Sequence, residues 1–254
     1  MIRLVSGVML AAAALAAILL LPVALLRLLA AVVAALAAVE YLRIVKADVR
    51  PVLPAVAIIC WLMSGPVPAT VLALLPLLLL ALVAFPVLFA GATAGQAAAG
   101  AFSVVYISVP LGMLASAHAI RGREATLLLL ATVVVSDSMQ YYTGRMFGRR
   151  PLAPAISPKK TIEGAIGGIV FGALFMTIAG GYVFEGVPRL WLAMLGLALV
   201  VLGICGDLFE SRLKRQADLK DSSTLIPGHG GVLDRIDALL FAIPAFYLFA
   251  GLTA

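Results

Sequence analysis

Apolar runs of roughly 20 residues alternate with short polar gaps along this chain, and that is the length a helix needs to cross the hydrocarbon core of a bilayer. Nine runs stand out, at about 3–21, 23–45, 51–65, 68–91, 97–119, 125–146, 162–184, 189–213 and 232–252. The pattern predicts an all-α, polytopic integral membrane protein of about nine transmembrane helices. Pro22, Pro51, Pro66, Pro68 and Pro188 fall at the joints, where chain breaks are expected. The third run is short and carries Pro51 and Pro54, so a re-entrant or tilted segment is an option there. The first run, with Arg3 ahead of alanines and leucines, imitates a secretory leader. It is longer than a leader's apolar core and a second run follows at once, so it reads as a span.

Composition supports lipid as the solvent. Of 254 residues, 64% are hydrophobic and 12% charged, too much apolar surface for one water-soluble core. No separate soluble domain is evident. The net charge of +6 suits loops facing anionic headgroups and phosphates better than nucleic acid. Cys60 and Cys205 lie in different apolar runs, which gives no support to a disulfide framework or a thiolate metal site.

Placing the N-terminus in the cytoplasm also places the loops after the second, sixth and eighth runs there. With Arg3 they hold 14 of the 18 Lys and Arg, which orients the chain by the positive-inside rule. Arg121 and Arg123 fall on the opposite side. Residues 1–120 carry only Glu40 and Asp48 as acids, show no polar constellation within a run, and read as scaffold helices. Residues 121–254 read as the catalytic region, with cytoplasmic loops 145–161 and 214–232. Nine of the twelve acidic residues lie from Asp137 onward, and an ionisable group in or at the edge of a span marks a functional site by default.

The eighth run ends with Asp207, Glu210, Ser211 and Lys214, which share one helical stripe. That face is expected to point into a wet site, although salt bridges at a solvated helix end would give the same spacing. Beyond it come Lys220-Asp221-Ser222-Ser223, Pro227-Gly228-His229-Gly230-Gly231 and Asp234-Arg235-Ile236-Asp237. Glycines around His229 let backbone N–H groups approach a phosphate closely. Asp234 and Asp237 stand three apart in a first helical turn. These acidic clusters are expected at one membrane face, with oxygen ligands suited to Mg²⁺.

A second patch runs Asp137, Tyr141, Arg145, Arg149, Arg150, Ser157-Pro158-Lys159-Lys160-Thr161 and Glu163. Ser157 before Pro158 predicts a helix N-cap with phosphate seated over free backbone donors. A generic basic loop is the plainer alternative. His229 is expected to bind phosphate or to be structural, because a phosphate nucleophile is already ionised and needs no general base. His118 reads as structural. No nucleotide-binding P-loop, H-E-x-x-H or C-x-x-C pattern occurs.

These residues resemble the phosphatidate cytidylyltransferases, also called CDP-diglyceride synthetases. Ser211, Lys214, Arg215, Lys220, Asp221, Ser223, Pro227, His229, Gly230, Gly231, Asp234, Arg235 and Asp237 occupy every fixed position of that family's signature. Gly144-Arg145, Phe147-Gly148, Ser157 to Thr161 and Glu163-Gly164 resemble its preceding stretch. The run Asp137 to Tyr141 departs from the small residues that commonly follow that aspartate. The motif resemblance covers about residues 137–237.

The resemblance implies a polytopic enzyme of the bacterial inner membrane, with its site facing the cytoplasm. It would condense CTP with phosphatidic acid to CDP-diacylglycerol and pyrophosphate, the committing step to phospholipids. It also implies a magnesium and potassium pair, carried over to Asp207 and Asp234 first, with Asp221 and Asp237 as supporting or alternative ligands. Lys214, Arg215, Lys220 and Arg235 would neutralise the triphosphate. Arg145, Lys159 and Lys160 would hold a lipid or nucleotide phosphate, with Ser157, Glu163, Ser211 and Asp137 also facing substrate. The scaffold helices leave room for a homodimer interface. Two rivals remain: a related CTP-dependent membrane enzyme such as a lipid kinase, separated by its product, and an ion-coupled transporter, which would place its acids near mid-span.

Overall fold

A computed structural model describes residues 2–48, 52–65 and 69–253, with side chains over 6–48, 52–65 and 75–253. Pro51, Pro66, Pro68 and the side chain of Arg3 lie outside the described residues. The chain is all-α apart from one small hairpin. Its elements are α1 (Ile2–Leu20), α2 (Val23–Ile44), α3 (Val52–Met63), α4 (Ala69–Phe89), α5 (Ala94–Ser103), a π-helical turn (Val104–Ser108), α6 (Val109–Phe147), β1 (Pro151–Ala153), β2 (Ser157–Thr161), α7 (Ile162–Val183), α8 (Arg189–Gln216) and α9 (Leu233–Leu252).

Among the described residues, five helical stretches are long and apolar enough to cross a membrane: Val23–Ile44, Ala94–Phe147, Ile162–Val183, Arg189–Gln216 and Leu233–Leu252. The described apolar parts of α1, α3 and α4 are shorter. The fifth and sixth apolar runs of the sequence follow one another as helices separated at Gly122, the fifth including the π-helical turn. The start of the fifth is fixed by a capping box, in which the Gln96 N–H donates to Thr93 Oγ1 at 3.2 Å and the Thr93 N–H to Gln96 Oε1 at 3.1 Å. The π turn falls just before Pro110, which has no N–H for the helical ladder. The break between the two runs is Gly122, with φ 77°, a left-handed conformation that glycine adopts without steric cost.

Two compact units can be distinguished: residues 1–119 with 217–235, and residues 120–216 with 236–254. The first unit packs α2 and α3 against the π turn, burying Leu42, Val56, Cys60 and Ile107. Tyr41 meets the Tyr106 ring edge-on at 5.7 Å.

In the second unit α7 packs on α8 around Ala165, Val200 and Ile204. Small residues let the helices approach, as membrane helices require in place of a hydrophobic drive between them. A Cβ on Gly167 would collide with Thr143, one on Gly168 with Gln140, and one on Gly196 with the backbone of Ala173. The same device joins α8 to α9, where a Cβ on Gly206 would meet the Asp237 carbonyl.

Candidate active site

The second unit builds its polar site from a hairpin and three helix ends. Strands β1 and β2 pair antiparallel, with Pro151 opposite Thr161 and Ala153 opposite Ser157. Here the structure corrects the expected cap: Ser157 lies in β2, and the N-cap of α7 is Thr161, extended at φ −119° and ψ 154°. A residue before proline is driven toward extended backbone, so Ser157-Pro158 continues a strand instead of opening a helix. Thr161 Oγ1 accepts the Gly164 N–H at 3.1 Å. Glu163, in the first turn, accepts the Arg149 and Arg150 N–H groups on Oε2 at 3.0 and 3.2 Å. It thereby ties the entrance of the hairpin to the start of α7.

Successive strand residues point to opposite faces. Lys159 is accordingly exposed, while Lys160 turns inward and forms an ion pair with Asp207 of α8. Ser211 Oγ donates to the other oxygen of Asp207 at 3.2 Å. Asp137 of α6 and Asp237 of α9 are electrostatic neighbours of Asp207. Gln140 Nε2 donates to Asp137 Oδ1 at 3.0 Å, and Asp237 Oδ1 accepts the Ala238 N–H at 2.8 Å. Three carboxylates from three helices thus act on one another, with Lys160 beside Asp207 and Asp137 and Lys214 acting on Asp237. Arg145 donates to the Tyr141 hydroxyl at 2.9 Å. Arg215 Nε reaches the Ile156 carbonyl at 3.4 Å, joining the end of α8 to the hairpin.

The stripe on α8 divides into two parts. Asp207 and Ser211 are partly exposed, whereas Glu210 is fully buried and forms an ion pair with the buried Lys214. The shared face is thus open in part at Asp207 and Ser211 and closed at Glu210 and Lys214.

The first unit contains the loop between α8 and α9. The His229 N–H donates to the Ile226 carbonyl at 2.9 Å, and the Ile226 N–H to the Gly230 carbonyl at 2.8 Å. Pro227 and Gly228 thus sit at the middle positions of a turn, and Gly228 takes φ 76°, the placement a type II turn demands. Gly230 takes φ 81°, and a Cβ there would strike the Asp234 carboxylate.

Asp234 Oδ2 accepts the Ser222 N–H at 2.9 Å, the Ser222 hydroxyl at 2.9 Å and the Gly231 N–H at 2.7 Å. One oxygen thus holds both ends of the loop. Lys220, Asp221 and Arg235 are exposed. His229 Nδ1 lies 2.8 Å from Ser6 Oγ, and the Ser6 hydroxyl lies 3.0 Å from the Pro227 carbonyl. His229 is an anchored loop residue.

Sequence reasoning missed Glu40. Read as scaffold, it is 3% exposed near the end of α2 and accepts four hydrogen bonds from this loop. The signal was present, because a carboxylate within a span is costly unless something engages it.

A model of the cytidylyltransferase family matches residues 1–253. The chain belongs to that family. Among its relatives, the phosphatidate cytidylyltransferase of Bacillus subtilis is 44% identical over 129 residues, 50% of this chain and 48% of that protein. That of Pseudomonas aeruginosa is 47% identical over 123 residues, 47% of this chain and 45% of the relative. That of Aquifex aeolicus is 43% identical over 122 residues, 48% of this chain and 45% of the relative. The chain spans about half the length of these curated relatives.

For a cytidylyltransferase the donor set is suited to a hard cation, since every candidate ligand is an oxygen. Among the described residues, no group of three or more His, Cys, Asp or Glu side chains is arranged to enclose a metal ion. Mg²⁺ needs no such cage, because it commonly takes one or two carboxylates and leaves other positions to water and substrate phosphates. Asp207, with Asp137 and Asp237 as its charge neighbours, supplies carboxylate oxygens of that kind.

Proposed function

We propose that this chain is a phosphatidate cytidylyltransferase, which transfers CMP from CTP to phosphatidic acid and forms CDP-diacylglycerol and pyrophosphate. The observation that carries this reading is the cluster of Lys160, Asp207, Ser211, Asp137 and Asp237, within a chain that the cytidylyltransferase family model matches over residues 1–253. The distribution of Lys and Arg supports a site facing the cytoplasm, and the bacterial relatives are consistent with an inner-membrane enzyme.

In the proposed reaction a phosphate oxygen of the lipid attacks the α-phosphorus of CTP. A new P–O bond forms, the bond from the α-phosphorus to the oxygen bridging to the β-phosphate breaks, and its electron pair leaves with pyrophosphate. The attacking oxygen is already ionised near neutral pH, so the protein's task is positioning and charge neutralisation. Lys160 offers a cation beside Asp207, and Arg215 offers another where the end of α8 meets the hairpin. Lys220 and Arg235 offer exposed cations on the glycine loop, whose Gly230 and Gly231 backbone suits a phosphate.

Asp207, with Asp137 or Asp237, would hold Mg²⁺, which supplies charge neutralisation on the transferring phosphoryl group. Potassium as a second ion belongs to the same proposal. The deciding experiment incubates detergent-solubilised protein with CTP and phosphatidic acid, with and without Mg²⁺, and identifies the lipid product by mass. CDP-diacylglycerol formed only with Mg²⁺ supports the reading. A lipid heavier by one phosphoryl group, with CDP released, would indicate a kinase, and no lipid product with either condition would overturn the assignment.

A further inference from the structure

Glu40 is a buried acid to which the proposed chemistry gives no role. It lies in a span of the first unit, and its neighbours come from residues 222–233 of the same unit. Oε1 accepts the Ser223 hydroxyl at 2.7 Å and the Val232 N–H at 3.0 Å. Oε2 accepts the Ser222 hydroxyl at 2.8 Å and the Leu233 N–H at 2.8 Å. Val232 and Leu233 open α9, where N–H groups have no partner within the helix. Glu40 therefore caps α9 from another helix while gripping the opposite end of the loop through two serines.

The grip coincides with a close fit. A Cβ on Gly231 would strike both Ser222 Oγ and the Glu40 carboxylate. The Ser222 hydroxyl also lies against Asp234 Oδ2, so Glu40 and Asp234 share one donor. A carboxylate can accept on both oxygens at once, which an amide cannot.

We propose that Glu40 is a positioning residue, whose carboxylate fixes residues 222–233 in the conformation that presents the Gly230-Gly231 backbone and Asp234 to a nucleotide phosphate. This rests on the function proposed above. In Glu40→Gln the amide nitrogen faces two donors on one side, so a carboxylate-specific grip is lost with little change in volume. Losing one hydrogen bond to a charged acceptor corresponds to about tenfold or more. The expected result is at least a tenfold rise in KM for CTP, with KM for phosphatidic acid little changed. Glu40→Asp keeps two accepting oxygens and is expected to recover part of the affinity.

A second readout needs no turnover: limited trypsin digestion of the full chain in detergent. Cleavage after Lys220 and Arg235 should quicken about tenfold in Glu40→Gln, while cleavage after Arg149 stays at the wild-type rate. If the wild type made no CDP-diacylglycerol, the proposed function would fail while the digestion still tested the grip. Unchanged cleavage at Lys220 and Arg235 in Glu40→Gln overturns the proposal. So does equal acceleration at every site with a matching loss of thermal stability, because Glu40 would then be an ordinary core residue.

Discussion

Lys160 and Asp207 form an ion pair across 47 residues of chain, joining the inward face of β2 to α8. Their side chains are 23% and 32% exposed, so water screens the pair in part. Its importance lies in position, because Lys160 sets one positive charge beside the carboxylates of Asp137 and Asp207.

Lys160→Met and Asp207→Asn should each lower the rate of the proposed CDP-diacylglycerol formation by about 10²-fold, on the scale of losing one preorganised charge. Because the two groups act together, the double variant should fall within about threefold of the worse single variant. Initial rates of the four proteins at saturating CTP check this, and full multiplicativity would show that the two groups act independently.

Glu163 tethers the hairpin through the Arg149 and Arg150 N–H groups. Glu163→Ala should leave α7 helical but free the strand entrance. Trypsin cleavage of the Arg149–Arg150 bond is then expected to rise about tenfold, reflecting a lower local opening energy. Mass spectrometry of timed digests measures it, with the loop after α8 as internal control. An unchanged rate at that bond would assign the hairpin's order to strand pairing alone.

What the sequence revealed and what it hid follow from the range of the interactions. Asp207 and Ser211 stood out because four residues return a helix to the same face, and they do form a hydrogen bond. The same periodicity overreached at Glu210, since spacing fixes the side of a helix but not what covers it. Glu40 stayed hidden for another reason: its partners are two hydroxyls and two backbone N–H groups lying 182 to 193 residues away. Backbone donors carry no side-chain signature. The cap of α7 was misplaced because Ser157-Pro158 and Thr161 both carry start signals. Only the extended geometry required before proline decides between them.

Thr161 provides a local test of that correction. Thr161→Ala removes the hydroxyl that accepts the Gly164 N–H and should cost about 1 kcal/mol of stability, whereas Ser157→Ala should cost no more than about 0.5 kcal/mol, as a substitution away from any cap does. Thr161→Ser keeps the acceptor and should stay close to wild type. Thermal unfolding in one detergent, followed by circular dichroism, ranks the three. A larger loss at Ser157 than at Thr161 would return the cap to the earlier position.

Two glycines one turn apart on α8 allow a sharper test of the α8–α9 contact. A Cβ on Gly203 would meet only Ala238, at 3.7 and 3.8 Å, which is ordinary packing. One on Gly206 would run into the Asp237 carbonyl and the Phe241 ring. Both substitutions add alanine's helix propensity, a gain of up to about 1 kcal/mol, so any difference between them reports the contact alone. Gly203→Ala should be neutral or slightly stabilising. Gly206→Ala should lose about 1–3 kcal/mol, the range for forcing a methyl into a packed interface. Because the displaced backbone carries Asp237, a neighbour of Asp207, the same variant should also lose at least tenfold in CDP-diacylglycerol formation at temperatures where it remains folded. Parallel unfolding and rate measurements on the two variants decide the matter: equal behaviour would mean that α9 can shift away from α8 without moving the carboxylates, and the close approach at Gly206 would then serve packing alone.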